Sequence, residues 1–205
     1  MQNLSRKIVH SLAGPLFVLC WPLFGSLYIS RYIAMIVPML NGLSLFLAGT
    51  SAVPDRRAVS AISRTGDPKE LLRGPLYYTI ALSIVTACLW RESMVAVAVV
   101  SVMCGGDGLA DIIGRAFGQQ SRLPWNKSKS WPGSLAMFVG GLGTSLLLAY
   151  YLAAFGYLQV DSASVTGLAV VAAAATVVES LPINKVLDDN ISVPLAVTYL
   201  GMHLL

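Results

Sequence analysis

Asp107 and Asp111 stand in the stretch Cys104-Gly105-Gly106-Asp107-Gly108-Leu109-Ala110-Asp111, which continues an apolar run beginning at Ser93. A carboxylate beside hydrocarbon loses hydration at a cost of roughly 2.5 to 3.5 kcal/mol on insertion scales, which marks an intramembrane acid as a functional candidate. Their i, i+4 spacing puts both on one helix face, and a basic polar stretch with Lys127 and Lys129 follows shortly after. Magnesium takes one or two carboxylates and completes its octahedron with water and substrate phosphates. Lysines balance phosphate as mobile point charges. The pairing therefore predicts a metal-and-phosphate site, with Asp107 and Asp111 as metal ligands and Gly105, Gly106 and Gly108 allowing phosphate close to the backbone. A base for an attacking hydroxyl would come from Asp111, Glu179 or His10. Each candidate has a plainer reading: structural salt bridging for the Asp107 and Asp111 pair, with Arg115 as a candidate partner, a helix contact or cap for Glu179, and an interfacial ring for His10.

These side chains need elements to hold them, and composition says which kind. Of 205 residues, 56% are hydrophobic and 12% charged, against about 25% charged in soluble domains, and mean hydropathy is +0.70. This composition excludes an ordinary soluble domain and requires a backbone satisfied inside a bilayer, by helices or a closed barrel. The long Ala, Leu and Val runs lack strand alternation, so the prediction is an all-α polytopic helix bundle, one membrane domain over residues 1–205. Seven apolar segments are read at 8–28, 32–53, 74–90, 93–114, 132–157, 163–184 and 191–205. The last would rise only about 22 Å against a bilayer core of about 30 Å, which predicts a tilted, buried or interfacial helix.

Orientation follows from the basic residues. Arg6, Lys7, Arg56, Arg57, Arg64, Lys69, Arg73, Arg115, Arg122, Lys127, Lys129 and Lys185 fall on one side, and only Arg31 and Arg91 on the other. By the positive-inside rule the N-terminus and the second, fourth and sixth loops are cytosolic or stromal. That topology gathers His10, Asp107, Asp111, Lys127, Lys129, Glu179, Asp188, Asp189 and Asn190 at one leaflet. The net charge of +4 is then topological, and no nucleic-acid partner is expected.

Within the second loop, Asp67 before Pro68 reads as a helix N-cap with Glu70 at N3, predicting a short amphipathic interfacial helix ending near Gly74. In the fourth loop Ser130 or Trp131 can cap the next helix, with Pro132 at its start. Trp125 and Trp131 flank the lysines as an interfacial belt or a base-stacking pair. No glycine precedes Lys127 as a Walker loop requires, and the glycines at 105–118 follow no strand, so neither nucleotide motif is present. Cys20, Cys88 and Cys104 lie far apart inside apolar runs without Cys-x-x-Cys spacing, which predicts packing roles. Gly114, Gly118, Gly140, Gly141 and Gly143 suit close helix contact. No internal repeat and no cleavable signal peptide are evident.

The strings Arg6-Lys7-Ile8-Val9-His10, Arg64 to Tyr78, Met103 to Gly118, Asn126 to Ser134, Glu179-Ser180-Leu181-Pro182-Ile183 and Leu187 to Leu195 occur in an order that resembles the polyprenol kinase family. The resemblance is greatest to the phytol and farnesol kinases of chloroplasts and cyanobacteria, and more distant to dolichol kinase and phosphatidate cytidylyltransferase. It implies magnesium-dependent phosphorylation of a membrane isoprenoid alcohol by CTP, phytol first and farnesol or geranylgeraniol as alternatives, in a chloroplast or cyanobacterial membrane. Phytyl phosphate so made would feed tocopherol synthesis. Carried over by motif, the resemblance points to Asp107, Asp111, Lys127 and Lys129, with Glu179, Asp188 and Asn190 in support. It further implies nucleotide contacts at Gly105, Gly106, Gly108, Asn126, Lys127, Ser128, Lys129, Asp188 and Asn190. The implied partners are the alcohol, the nucleotide and the bilayer, with a homodimer left open. Two rivals stand beside it: a lipid cytidylyltransferase, which would release pyrophosphate rather than CDP, and a cation- or proton-coupled transporter, which favours a midmembrane site and a repeat.

Overall fold

By strand propensity the valine-rich run from Met94 is β-like, yet in hydrocarbon a lone segment satisfies its backbone only as a helix. A computed structural model describes residues 2–50, 59, 62, 63, 65–185 and 187–205, and of residues 2–10, 184 and 185 only the backbone. In it Ser93 caps the run by accepting from the Ala96 N–H at 3.4 Å, and all eight residues Met94–Ser101 are buried. A helix buried all round must be enclosed by others. This one is the axis of the bundle.

The described residues form seven helices longer than ten residues: α1 (Gln2–Leu19), α2 (Ser30–Gly49), α3 (Gly74–Cys88), α4 (Met94–Phe117), α5 (Trp131–Ala154), α6 (Ser162–Ser180) and α7 (Asp189–Leu204). Helix α4 packs against α1, α3, α5, α6 and α7, while α5, α6 and α7 also pack in succession. By contrast α2 lies outermost, packed mainly on α3 and on the 3₁₀ turn Pro68–Leu72. Five helical stretches are long and apolar enough to cross a membrane: Ser30–Gly49, Pro68–Cys88, Met94–Phe117, Trp131–Ala154 and Ser162–Ser180. As expected, the last helix is short, at 16 residues.

Two expectations change. The first apolar segment does not run on to residue 28: α1 stops at Leu19 and a 3₁₀ turn, Trp21–Leu23, follows. Pro22 has no N–H to continue the ladder. In the second loop Asp67 does cap, accepting from the Lys69 N–H at 2.9 Å with Pro68 next, but the element is the 3₁₀ turn and not a longer amphipathic helix. Its Leu71 is buried against Leu45 and Ala48, and Glu70 accepts from the hydroxyls of Ser63 (2.8 Å) and Thr65 (2.9 Å). Arg56, Arg57 and Arg64 lie outside the described residues.

Helix α4 is not uniform. Its halves, Met94–Ser101 and Asp107–Phe117, are joined by a π-helical segment, Val102–Gly106, whose wider i→i+5 turn accommodates one extra residue. Glycine is needed there because α5 presses against it. A Cβ on Gly105 would collide with the Thr144 hydroxyl, and one on Gly140 would sit 2.6 Å from the Gly105 carbonyl oxygen. Further along, Gly114 and Gly118 abut Ser130 and Gly133. The expected close helix contacts are found at Gly114, Gly118, Gly140 and Gly141, whereas Gly143 has open space beside it.

At the opposite end of the bundle from the basic loops, Arg91 is buried in the α3–α4 turn. Its guanidinium donates to the carbonyls of Trp21 (3.0 Å), Phe24 (2.7 Å) and Gly25 (3.0 Å). It pairs with Glu92 at 3.2 Å and lies 4.1 Å from the Tyr157 ring centroid. One side chain thus ties together three turns, at 21–25, 90–92 and 155–157. Cys20 and Cys88 near this end are exposed, and Cys104 is buried in α4 with its sulfur 3.3 Å from the Tyr78 hydroxyl.

Candidate active site

The loop from α4 to α5 is shaped before it carries any chemistry. Arg122 and Ser130 pair as an isolated antiparallel bridge. Leu123 donates its N–H to the Lys129 carbonyl, Lys129 to the Asn126 carbonyl, and Trp131 to the Ser121 carbonyl, at 3.0 to 3.1 Å. Ser130 caps α5, accepting from the Gly133 N–H at 3.3 Å, with Pro132 in the first turn as expected. Asn126, buried, anchors the loop sideways: its amide donates to the carbonyls of Ser180 (3.2 Å) and Leu181 (3.1 Å) at the end of α6.

That anchorage brings Lys129 to two carboxylates on different helices. Its ammonium pairs with Glu179 of α6 and, at 2.9 Å, with Asp189 of α7. Glu179 is almost fully buried, and Lys129 and Asp189 are partly so. Burial by itself would lower the Lys129 pKa, but the two carboxylates outweigh it and hold the ammonium above its ordinary value. Lys129 therefore stays charged at neutral pH. Asp107 opens the second half of α4 and interacts electrostatically with Glu179. Two acids from two helices thus hold one lysine, and a third, Asp107, acts on Glu179.

Asp111, one turn on, is half-buried and pairs with the exposed Arg115 at 3.0 Å. The plainer reading of Asp111 is realised, although such an i, i+4 surface pair is worth only about 0.3–0.5 kcal/mol. Gly108 packs on α1, where a Cβ would collide with the Ser11 hydroxyl. This crossing sets the start of α1 beside the acids, although the side chain of His10 lies outside the described residues.

Several expected nucleotide contacts turn out to be spent on structure. The Asn126 amide oxygen accepts from the Ser128 N–H (3.2 Å) and hydroxyl (2.6 Å), and its two N–H groups go to the carbonyls above. An amide has two donors and two acceptor lone pairs, so all four positions of the Asn126 side chain are filled within the protein. Asp188 caps α7, accepting from the backbone N–H (2.9 Å) and side-chain amide (2.8 Å) of Asn190. Gly105, Gly106 and Gly108 also lie directly against α5 and α1. Lys127 and Ser128 are exposed at the loop tip. Trp125 and Trp131 flank them with ring centroids 5.6 Å apart, both about half exposed.

The sequence places Asp189 at the right leaflet but does not show it as the second partner of Lys129. Its only local signal was position: it follows the cap residue, where an acid suits the first turn of any helix.

Among the described residues no three His, Cys, Asp or Glu side chains converge tightly enough to hold a metal by themselves. The donors present are carboxylate oxygens, which suit a hard cation completed by phosphate and water.

The chain has curated relatives along nearly its whole length. The chain is 48% identical over 204 residues, 99% of its length, to phytol kinase 1, chloroplastic, of Arabidopsis thaliana. It is 49% identical over 205 residues to probable phytol kinase 1, chloroplastic, of Oryza sativa subsp. japonica, and 42% identical over 205 residues to farnesol kinase, chloroplastic, of Arabidopsis thaliana. It spans 65 to 66% of the length of these relatives. No family model and no solved structure matches. The chloroplastic relatives and the apolar helices together indicate a protein of a chloroplast-type membrane. At this identity along nearly its whole length, the chain belongs to the polyprenol kinase family, with the phytol and farnesol kinases.

Proposed function

We propose that this protein phosphorylates a membrane isoprenoid alcohol, phytol first, using CTP with magnesium at the end of the bundle that carries the basic loops. The observation that carries the reading is the clamp of Lys129 between Glu179 and Asp189, with Asp107 alongside. A phytyl chain dissolves in the bilayer, so its hydroxyl can wait at the interface while the nucleotide arrives from water.

In phosphoryl transfer the protein contributes mainly positioning and charge stabilisation. Asp107 and Asp111 would hold magnesium, whose part when bound is to neutralise charge on the phosphate oxygens. Lys129 supplies a second positive charge, already oriented and mostly withdrawn from water. Lys127, at the exposed tip, meets the nucleotide first and helps to retain its phosphates. Glu179 is the preferred acceptor of the alcohol proton: it is a carboxylate, it is shielded from bulk water, and Lys129 fixes its direction. The names of the relatives, phytol kinase and farnesol kinase, support the alcohol and the reaction class.

The test is turnover of purified protein in detergent with magnesium, CTP and, in parallel, phytol, farnesol and geranylgeraniol. Phytyl phosphate and CDP are the expected products, and pyrophosphate in place of CDP would mark a cytidylyltransferase. Asp107→Asn is expected to lower turnover on the order of a hundredfold or more, the scale of losing one electrostatic stabiliser, with an unchanged unfolding midpoint. Full turnover in that variant would remove Asp107 from the metal site.

A further inference from the structure

We infer that Asn126 is a positioning residue, which fixes the reach of Lys129 to Glu179 without touching the nucleotide; the inference deepens the kinase reading and rests on it for its kinetic arm. All four hydrogen-bonding positions of the Asn126 amide are filled inside the protein. Two donors go to the carbonyls of Ser180 and Leu181, and two lone pairs accept from Ser128. The carbonyls belong to the two residues that follow Glu179. The Asn126 backbone carbonyl also accepts from the N–H of Lys129. A single residue therefore touches the chain next to Glu179 and the chain of Lys129, and sets one against the other.

The helix end explains why an amide is needed. The last carbonyls of an α-helix have no partner within it, and those of Ser180 and Leu181 stand where α6 breaks before Pro182, whose ring supplies no N–H. A neutral side chain with two donors satisfies both. It does so without placing a charge between Lys129 and Glu179, as a lysine or arginine would. Alanine at 126 would strip these carbonyls and release Ser128. Aspartate would keep the acceptor for Ser128 but turn a second oxygen against two carbonyl oxygens, so it is expected to be worse than alanine.

The experiment compares unsubstituted protein, Asn126→Ala, Asn126→Asp, Lys129→Met and the double variant Asn126→Ala/Lys129→Met, by hydrogen exchange and by phosphorylation of phytol. Exchange of the Leu123, Lys129 and Trp131 amides is expected to accelerate in Asn126→Ala while α4 and α5 keep their protection. Its kcat is expected to fall on the order of a hundredfold, the scale of a misplacement of about 1 Å, with little change in KM for CTP. The double variant is expected to be no slower than Lys129→Met alone. A raised KM for CTP with unchanged loop exchange and additive losses would overturn the inference and return Asn126 to the nucleotide. If the unsubstituted protein phosphorylates none of the alcohols, the kinase reading falls, and loop exchange alone decides the positioning role: faster in Asn126→Ala sustains it, unchanged overturns it.

Discussion

Two cations, Arg91 buried and Lys129 partly so, mark the two ends of this bundle, and they are held in different ways. Arg91 spends its planar fork on three backbone carbonyls and an adjacent glutamate, with an aromatic face beside it. Lys129 is held by two side-chain carboxylates on two helices. Backbone carbonyls in turns cannot leave, and a guanidinium does not lose its proton, so the Arg91 end is a fastening. Carboxylates can rotate away, and a lysine presents a point charge that a phosphate can claim instead. Burial of a charge thus says little about function until its partners are known to be fixed or exchangeable.

The contrast can be broken most forcefully at Arg91. Arg91→Ala is expected to destabilise the fold by at least about 3 kcal/mol, since buried acceptors stripped of a partner cost about 1 to 3 kcal/mol each, and thermal unfolding in detergent would measure it. A small shift would mean that the three turns hold without their clasp. Lys129→Met should do the reverse, lowering turnover on the order of a hundredfold to a thousandfold with a smaller fall in unfolding midpoint. There Asp189, already partly exposed, regains water, and methionine keeps the apolar stem. Equal destabilisation by the two variants would erase the distinction between the ends.

The smallest effect concerns pH and sharpens the comparison. The carboxylates hold the Lys129 pKa above its ordinary 10.5, so the ammonium is bound more tightly in the folded state. Its contribution to stability is complete below 10.5 and declines as pH rises through the higher folded value. An unfolding midpoint followed from neutral pH into the alkaline range should fall above 10.5 more steeply in unsubstituted protein than in Lys129→Met. Parallel curves would show that the clamp adds nothing to stability.

What the chain reveals in one dimension follows from the range of each interaction. The helices were legible because each apolar run reports its own solvent, and the caps at Asp67 and Ser130 because a cap bonds within three residues. The break after Leu19 also had a local cause, Pro22, but apolar residues on both sides concealed it. The pairing of Asp189 was illegible for the opposite reason: its partner is 60 positions away, and nothing near it separates a pairing acid from a capping one. Asn126 was read by the company it keeps, two lysines and a serine, whereas its role depends on the carbonyls at the end of a distant helix. Gly105 and Gly106 were read as room for phosphate, and the close approach of α5 to them was not legible, because its contacts lie about 35 positions away.

The π-helical segment at Val102–Gly106 has a bearing on how such a site could be altered. An extra residue in a helix is a phase shift, turning everything beyond it by about 100° relative to what came before. The first half of α4 is constrained on every side by neighbours, and the second must offer one polar face. A regular helix would lock the two requirements into a single register. With the extra residue between them, the orientation of Asp107 is set separately from that of the buried valines. Deleting one residue of the segment would leave every amino acid of both halves in place and aim the acids elsewhere, so the site depends on an insertion as much as on any side chain.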